Sequence, residues 1–288
     1  MIAILKREIG DYFNTMTGYI FAAVLLLFAG IYVMVFNLRQ GYANFEYVLS
    51  YLSFLLIIAI PLITMKIFAE ERRQKTDQLL FSLPISTTQI ALGKFLALAF
   101  VILLPCAVMA VYPLALAALG KVNLQTAYST LLAFFLLALL LASIGMLISS
   151  LCENQAAAAG ICFAILLVLY YAESLSSYVT ASFPGTMLAF SGCMIALGLI
   201  ISVSARNIRA GIVTGICGEL ICLVCALAWR AGFSQLLVVG MQKLAVFDLF
   251  FSFVDGMMDL RILFYYVSLT AFMLLLTILT LEKRRWNG

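Results

Sequence analysis

Histidine is absent from the 288-residue sequence, and charged residues make up only 10% of it. The absence of histidine excludes Ser-His-Asp and Cys-His nucleophilic catalysis, histidine-ligated zinc and histidine-based proton switching near neutral pH. Soluble domains are roughly a quarter charged and about half apolar, whereas 65% of this chain is apolar and its mean hydropathy is +1.15. The composition therefore excludes a soluble globular protein, a disordered chain and a disulfide-rich secreted scaffold.

The seven cysteines lie inside or at the edge of apolar runs. In such surroundings cysteine behaves as a small apolar side chain, so no disulfide framework is predicted. The bilayer is the expected solvent, and the fold class is an all-α polytopic membrane protein in a single domain, residues 1–288.

Eight apolar runs are about 17 to 25 residues long, which is enough to cross a ~30 Å hydrocarbon core as helices. The fifth run is the shortest. The predicted spans are Tyr19 to Phe36, Val48 to Phe68, Phe95 to Leu119, Tyr128 to Leu151, Ala156 to Tyr171, Thr186 to Val203, Gly211 to Trp229 and Ile262 to Leu281.

The distribution of the seventeen basic residues predicts the orientation, because Lys and Arg are retained on the cytoplasmic side of short loops. With both termini inside, twelve of them are cytoplasmic and five are external. The external five are Arg39, Lys121, Arg230, Lys243 and Arg261. The net charge of +4 thus reflects topology and not a nucleic-acid surface.

Two segments outside the predicted spans are amphipathic. Residues 1–15 place Ile2, Leu5, Ile9 and Phe13 at helical spacing between charged residues, which predicts an interfacial helix on the inner leaflet. Residues 231–260 are apolar but carry four charged side chains, so we expect an external amphipathic or partly re-entrant helix that ends at an Asp255-Gly256 turn.

The most informative loop is the cytoplasmic segment 69–94. Leu79, Leu80 and Leu83 share one helical face, with Thr76 as a candidate N-cap and Pro84 as the stop. Ser86 and Gln89 have the spacing of a capping box that begins the next helix. The segment is either an apolar knob that docks into a partner's groove or a solvated helix whose leucines pack on the membrane surface.

Four stretches in chain order resemble ABC-2 type transporter permeases, in particular the gliding-motility-type and nitrous-oxide-maturation-type branch. They are Glu70-Glu71-Arg72 with Thr76-x-x-Leu79-Leu80-x-Ser82-Leu83-Pro84-Ile85 and Gly93-Lys94-Phe95; Ser150-Leu151-Cys152-Glu153-Asn154-Gln155-Ala156-Ala157; Phe253-x-Asp255-Gly256-x-x-Asp259-Leu260 with Tyr265-Tyr266-x-Ser268-Leu269; and Leu281-Glu282-Lys283-Arg284-Arg285-Trp286. The family usually has six spans, so the hairpin of spans six and seven would be an addition to a six-helix core.

The resemblance implies a permease subunit of an ABC transporter, an exporter in the inner membrane of a prokaryote. It implies a second permease chain and a separate ABC ATPase dimer that binds ATP and Mg²⁺. A separate ATPase is needed because this chain has no G-x-x-x-x-G-K-[ST] motif, and no cofactor is expected on the chain itself. The ATPase would bind the knob of Leu79, Leu80 and Leu83. Glu70, Glu71 and Arg72 would fix the loop at its helix end, and Glu153, Asn154 and Gln155 would make a lesser contact.

Glu219 is the one carboxylate that the predicted spans place deep in the membrane, in the seventh run. It is either a proton or cation contact or a hydrogen-bonded packing residue. Cys222 and Cys225 follow on the same face, and such a stripe resembles a soft-metal site, although helix packing is the simpler role and no metal site is predicted.

Three other functions compete with the exporter. A non-transporting membrane anchor could relay the motion of an ATPase to an external machine. An ion-coupled secondary transporter needs several intramembrane polar residues, and an intramembrane enzyme needs paired catalytic groups, which the sequence lacks. The transported substrate is left open.

Overall fold

The computed structural model describes residues 2–76, 86–178, 185–188, 190–191, 216, 218–220, 223, 238–243 and 245–287. Within these ranges the chain is helical and has no strand. The helices are α1 (Ile2–Asn14), α2 (Thr17–Tyr32), a π-helix (Val33–Arg39), α3 (Glu46–Thr64), α4 (Lys66–Arg73), α5 (Thr87–Met109), α6 (Val111–Leu119), α7 (Leu124–Leu151), α8 (Gln155–Tyr178), α9 (Val246–Val254) and α10 (Leu260–Asn287).

Six helical stretches in the described residues are long and apolar enough to cross a membrane. They are Thr17–Arg39, Glu46–Arg73, Thr87–Leu119, Leu124–Leu151, Gln155–Ser176 and Leu260–Arg285. These stretches coincide with predicted spans one to five and eight, and they confirm a multi-pass, all-helical protein. Predicted spans six and seven lie almost wholly outside the described residues, so the total of eight stays a prediction.

The fifth span is longer than the sequence analysis expects. The apolar run ends near Tyr171, but the helix continues to Tyr178. Glu173 and the serines that follow lower the hydropathy without breaking the helix, because no glycine or proline occurs between Gly160 and Pro184.

The chain folds as two compact units, residues 1–168 with 246–288, and residues 169–245. In the first unit α7 is the central helix and packs against α3, α4, α5, α9 and α10. Its side chains Phe134, Leu137 and Leu141 are fully buried. The candidate site lies within this first unit.

Helices α3 and α7 approach so closely that only glycine fits at their crossing. A Cβ atom added to Gly145 would lie 2.8 Å from Cβ and 2.9 Å from Cγ2 of Thr64. Thr64 is β-branched, and its Oγ1 donates a hydrogen bond to the Ile60 carbonyl at 3.0 Å, so the side chain cannot turn away freely. The close approach brings the end of α7 beside the start of α4.

The N-terminal helix α1 packs on the bundle through a partly polar face and leaves the apolar ridge predicted for the membrane side at the surface. Ile4, Glu8 and Tyr12 are buried, whereas Leu5 and Phe13 are half-buried on the flank. The hydroxyl of Tyr12 donates to the carbonyl of Ile63 at 2.9 Å. Polar contacts to α3, α4 and α5 therefore set the rotation of α1, which leaves its most apolar ridge partly exposed.

Within the predicted external segment 231–260, residues 238–243 are helical and α9 packs against α3 and α7. Phe247, Phe250 and Phe253 are buried, and Thr130 of α7 donates a hydrogen bond to the Phe253 carbonyl at 3.1 Å. The predicted turn is confirmed, because α9 ends at Val254 and Gly256 follows in a turn with φ +83°.

Candidate functional site

The predicted coupling residues fall in two groups. Glu70, Glu71, Arg72 and Thr76 belong to the end of α4 and the turn after it. Leu79, Leu80, Leu83 and Pro84 lie outside the described residues, so the role of these side chains stays a prediction. What the structure describes is how the two ends of the 77–85 segment are attached to the helix bundle.

The first attachment is a buried ammonium group. Nζ of Lys94, in the second turn of α5, donates hydrogen bonds to Glu8 Oε1 at 2.9 Å, Glu71 Oε1 at 2.8 Å and the Ile67 carbonyl at 2.9 Å. The side chain is 1% exposed, and Nζ lies 5.2 Å from the ring centroid of Phe68. All three N–H donors of the ammonium are used, so one cation joins α1, α4 and α5. We call Lys94, Glu8 and Glu71 the Lys94 triad.

The stability of the Lys94 triad depends on the presence of all three charged side chains. Removing one partner of a buried ion pair costs about 3–5 kcal/mol, because the other charge is left buried without compensation. Here the two carboxylates come from helices that are far apart in the chain, at residues 8 and 71. Beside the triad, burial and, to a lesser degree, the Glu8 carboxylate raise the pKa of the Tyr12 phenol well above its usual range, so Tyr12 stays a neutral donor.

The second attachment joins α4 to the end of α7 through Arg72. Its Nη1 donates to the carbonyls of Leu151 at 3.1 Å and Cys152 at 2.9 Å, and its Nη2 donates to Glu153 Oε1 at 3.1 Å. A cation at a helix C-terminus also interacts favourably with the helix dipole. The guanidinium therefore caps α7 from a neighbouring helix.

A third attachment lies at the break between α3 and α4. The hydroxyl of Ser149, on α7, accepts hydrogen bonds from the amides of Phe68 at 3.1 Å and Ala69 at 3.2 Å and donates to the Met65 carbonyl at 3.2 Å. These backbone groups lie in the first turn of α4, where a helix has unsatisfied donors. One hydroxyl thus fixes the start of α4 to α7.

The other end of the 77–85 segment enters α5. Ser86 is the N-cap, and its Oγ accepts a hydrogen bond from the Gln89 amide at 3.2 Å, which confirms the capping position predicted from the spacing. Thr87 is buried, and its Oγ1 donates to Glu282 Oε1 on α10 at 3.1 Å. The entry into α5 is therefore tied to the last helix.

The turn between α7 and α8 contains the remaining predicted site residues. Glu153 and Asn154 are exposed. Oδ1 of Asn154 accepts a hydrogen bond from the amide of Ala156 at 3.0 Å and so caps the start of α8, while Gln155 begins that helix. The structure thus brings Glu153 together with Arg72 and gives Asn154 a structural contact within its own turn.

Buried carboxylates occur where the sequence analysis did not place them. Glu219 is exposed in the described part of its segment, and Cys222 and Cys225 lie outside the described residues.

Glu46, at the start of α3, is 4% exposed and accepts a hydrogen bond from Thr126 Oγ1, while its Oε2 has no partner among the described residues. No group of three or more Cys, Asp or Glu residues in the described ranges is arranged to hold a metal ion.

Sequence reasoning gave no role to Glu8 or Ser149, and it quoted Lys94 and Glu282 only as parts of motifs. Two signals were present. Lys94 interrupts the apolar run that begins at Ile90, and Glu8 falls on the same helical ridge as Ile4 and Tyr12. A charge at such a position predicts a buried partner, although it does not say which one.

Comparison with known proteins identifies the family. A sequence profile described as "ABC-2 family transporter protein" matches residues 8–187, which is more than half of the chain. The chain belongs to this ABC-2 transporter family. No curated protein matches the chain.

The ABC-2 match covers every residue of the site except Glu282 on α10. It begins at Glu8, includes α4, the 77–85 segment, Lys94 and the turn at Glu153, and ends before Glu219. The chain is accordingly the multi-pass membrane component of an ABC transporter, and the matched region includes the helices at either end of the predicted coupling segment.

Proposed function

We propose that this ABC-2 family protein is the permease subunit of an ATP-driven exporter and that residues 77–85 couple it to a separate ATPase. The observation that carries the proposal is the attachment of both ends of that segment. Arg72, Ser149 and the Lys94 triad join α4 to α7, α1 and α5, and Thr87 joins α5 to α10. A partner that displaces residues 77–85 would therefore move the packed helices on both sides of the segment as rigid elements.

The chemistry of ATP belongs to the partner in this proposal. The chain contains no phosphate-binding G-x-x-x-x-G-K-[ST] sequence, so ATP and Mg²⁺ would be bound by an ATPase dimer below two permease chains. In that dimer Leu79, Leu80 and Leu83 would enter a groove of the ATPase, with Pro84 ending the short helix. The exposed carboxylate of Glu153 and the adjacent Asn154 and Gln155 would offer a second, weaker contact.

The proposed function includes an orientation, a membrane and a number of spans. Both termini and the 77–85 segment are cytoplasmic, the membrane is the inner membrane of a prokaryote, and the chain has eight spans with an additional hairpin at spans six and seven. The basic residues support this orientation. The motifs near Asp255 and in the C-terminal tail support the gliding-motility-type and nitrous-oxide-maturation-type branch of the family.

The test is co-purification of the detergent-solubilised chain with the ATPase encoded beside it. The coupling variant is Leu79→Asp/Leu83→Asp. Its control is Leu119→Asp, which makes a single Leu→Asp change at a 75% exposed residue at the other end of the third span. We expect the ATPase to bind the natural chain and the control and to be lost from the coupling variant, with all three proteins monodisperse.

Two outcomes would contradict the coupling role: no ATPase on the natural chain, or undiminished ATPase on the coupling variant. Liposomes that contain the complex then separate an exporter from a membrane anchor. ATP-dependent movement of a fluorescent phospholipid or peptide across the bilayer supports export. ATP hydrolysis that stays sensitive to Leu79→Asp/Leu83→Asp without movement of either probe supports the anchor.

A further inference from the structure

A cavity of about 240 Å³ between α1 and α4 is lined mainly by polar and charged residues, including the Lys94 triad. Its volume is a little below the ~300 Å³ at which pockets for small molecules begin. It is therefore large enough for a small polar group and too small for a whole drug-sized ligand. None of the contacts described above for α7 or α10 involves this cavity.

The ends of three candidate spans place the cavity at the membrane surface. Its lining includes Thr17, where the first span begins, Lys66 and Glu70, near the end of the second, and Lys94, near the start of the third. All three spans thus enter or leave the membrane beside it. The half-buried ridge of Leu5 and Phe13 lies on α1, the helix that forms the opposite wall. A group bound here sits at the depth of phospholipid headgroups.

The side chains around the cavity carry charges of both signs, and they differ in how many hydrogen bonds and ion pairs they form. Lys94 is fully used by its three acceptors. Arg7 and Asp11 form an exposed pair at 3.8 Å, which contributes little. Lys66 has no hydrogen bond or ion pair with any described residue, and the Glu70 carboxylate accepts one hydrogen bond, from the side-chain amide of Gln74 at 3.3 Å.

Lys66 and Glu70 are four residues apart on α4 and both line the cavity, yet their charged atoms are more than 4.0 Å apart. The order Lys before Glu is the weaker one for pairing along a helix. The cavity wall therefore presents one free ammonium and, one helical turn further on, one carboxylate with open acceptor positions. The complementary ligand carries a phosphate and an ammonium a few ångströms apart.

The net charge of the cavity excludes a purely anionic ligand as the preferred one. Three basic side chains and four carboxylates line it, which leaves one negative charge. An anionic headgroup would add a second, whereas a zwitterionic headgroup adds none. A phosphate that carries a primary ammonium satisfies Lys66 and Glu70 together without increasing the imbalance.

We propose that this cavity binds the phosphoethanolamine headgroup of an inner-leaflet phospholipid. The phosphate contacts the Lys66 ammonium, and the ammonium of the headgroup donates hydrogen bonds to the Glu70 carboxylate. The acyl chains stay in the bilayer beside α2 and the apolar flank of α1. The proposal concerns a lipid contact of the folded chain, and it does not depend on the proposed ATPase coupling.

The experiment is native mass spectrometry of the full chain in detergent micelles, with dioleoyl phosphatidylethanolamine, phosphatidylcholine or phosphatidylglycerol added singly at equal concentrations. We expect phosphatidylethanolamine to bind best, because the choline headgroup has no N–H donors and the glycerol headgroup has no cation. Lys66→Gln and Glu70→Gln should each weaken phosphatidylethanolamine binding by about tenfold, since each removes one charge-assisted hydrogen bond. Lys66→Arg should retain binding.

The matched control is Lys121→Gln, which removes an exposed cation from the opposite end of the third span. It should leave lipid binding unchanged. Soluble glycerophosphoethanolamine in equal concentration distinguishes a free phosphate compound from a lipid, and it should not displace the lipid. If Lys66→Gln lowers the unfolding temperature, Glu70→Gln and the retained binding of Lys66→Arg carry the test.

Three results would overturn the proposal. One is binding of phosphatidylglycerol at least as strong as that of phosphatidylethanolamine. Another is unchanged phosphatidylethanolamine binding by both Lys66→Gln and Glu70→Gln. The third is displacement by glycerophosphoethanolamine, which would make the cavity a site for a soluble phosphate compound.

Discussion

Lys94 and Glu8 are 86 residues apart in the chain, and their side chains form a buried ion pair with Nζ 2.9 Å from Oε1. This pair fixes the N-terminal helix to the third membrane-spanning stretch. Together with Glu71 it forms a charged centre at one end of an otherwise apolar bundle, beside the segment through which we propose the ATPase acts.

Replacement of Lys94 should destabilise the protein strongly. Lys94→Met keeps much of the side-chain volume but leaves Glu8 and Glu71 buried without a cation, so we expect a loss of about 3–5 kcal/mol in the free energy of unfolding. Thermal or denaturant unfolding of the purified chain measures it. The double variant Lys94→Met/Glu8→Gln should recover part of the loss, and Lys121→Met, at an exposed position, should change little. Equal stability of Lys94→Met and the natural chain would contradict the burial of this charge.

The crossing of α3 and α7 should tolerate no added methyl group at Gly145. Gly145→Ala places a Cβ 2.8 Å from that of Thr64, and we expect a cost of about 1–3 kcal/mol from the overpacking. Gly160→Ala is the matched control in α8, because nothing lies within 4 Å of its added Cβ. That control should be neutral or stabilising by up to ~1 kcal/mol, as alanine favours helix.

The same crossing offers a compensating change. Thr64→Ala removes two of the three atoms that the new methyl group would meet, so it should restore part of the stability of Gly145→Ala. Unfolding midpoints of the single and double variants measure the coupling between the two positions. Strict additivity of the two changes would show that the helices do not approach each other here.

Arg72 and Glu153 should contribute unequally although they form one ion pair. The Glu153 side chain is 82% exposed, so Glu153→Gln should change the free energy of unfolding by less than about 1 kcal/mol. Arg72→Gln also loses two hydrogen bonds to the α7 carbonyls and should cost about 2–3 kcal/mol. Unfolding of both variants under the same conditions measures the difference, and a larger effect of Glu153→Gln would be inconsistent with the capping role.

The number of spans can be tested at Asn207. With eight spans and cytoplasmic termini, the short loop that contains Asn207 is cytoplasmic, whereas a chain with six spans would leave it outside. Fusions of green fluorescent protein and of alkaline phosphatase after Asn207 should give fluorescence and no phosphatase activity. The same pair of fusions at Lys121, predicted to be external, should give the reverse result.

Length and apolar composition were sufficient to predict the helical class and the six spans that the described residues contain. Each such run has few ways to satisfy its backbone in a membrane, and a helix is the simplest. Local capping was equally accessible, because Ser86 and Gln89 are three residues apart and interact within one turn. The family followed from motifs distributed along the chain.

Long-range pairings could not be derived in the same way. The sequence offers several carboxylates as partners for Lys94, and the choice of Glu8 and Glu71 depends on how α1 and α4 pack. The spacing of Leu5, Ile9 and Phe13 predicted an apolar ridge on the membrane side of α1, but it did not indicate that Glu8 and Tyr12 on the adjacent face bind the bundle. A contact between residues that are distant in the chain is a property of the packed helices and not of a local pattern.

The Lys94 triad has a consequence for biosynthesis. A chain is made from its N-terminus, so the acceptors Glu8, Ile67 and Glu71 have all left the ribosome before Lys94 does. When the third span is inserted, both carboxylates that pair with its cation have therefore already been synthesised.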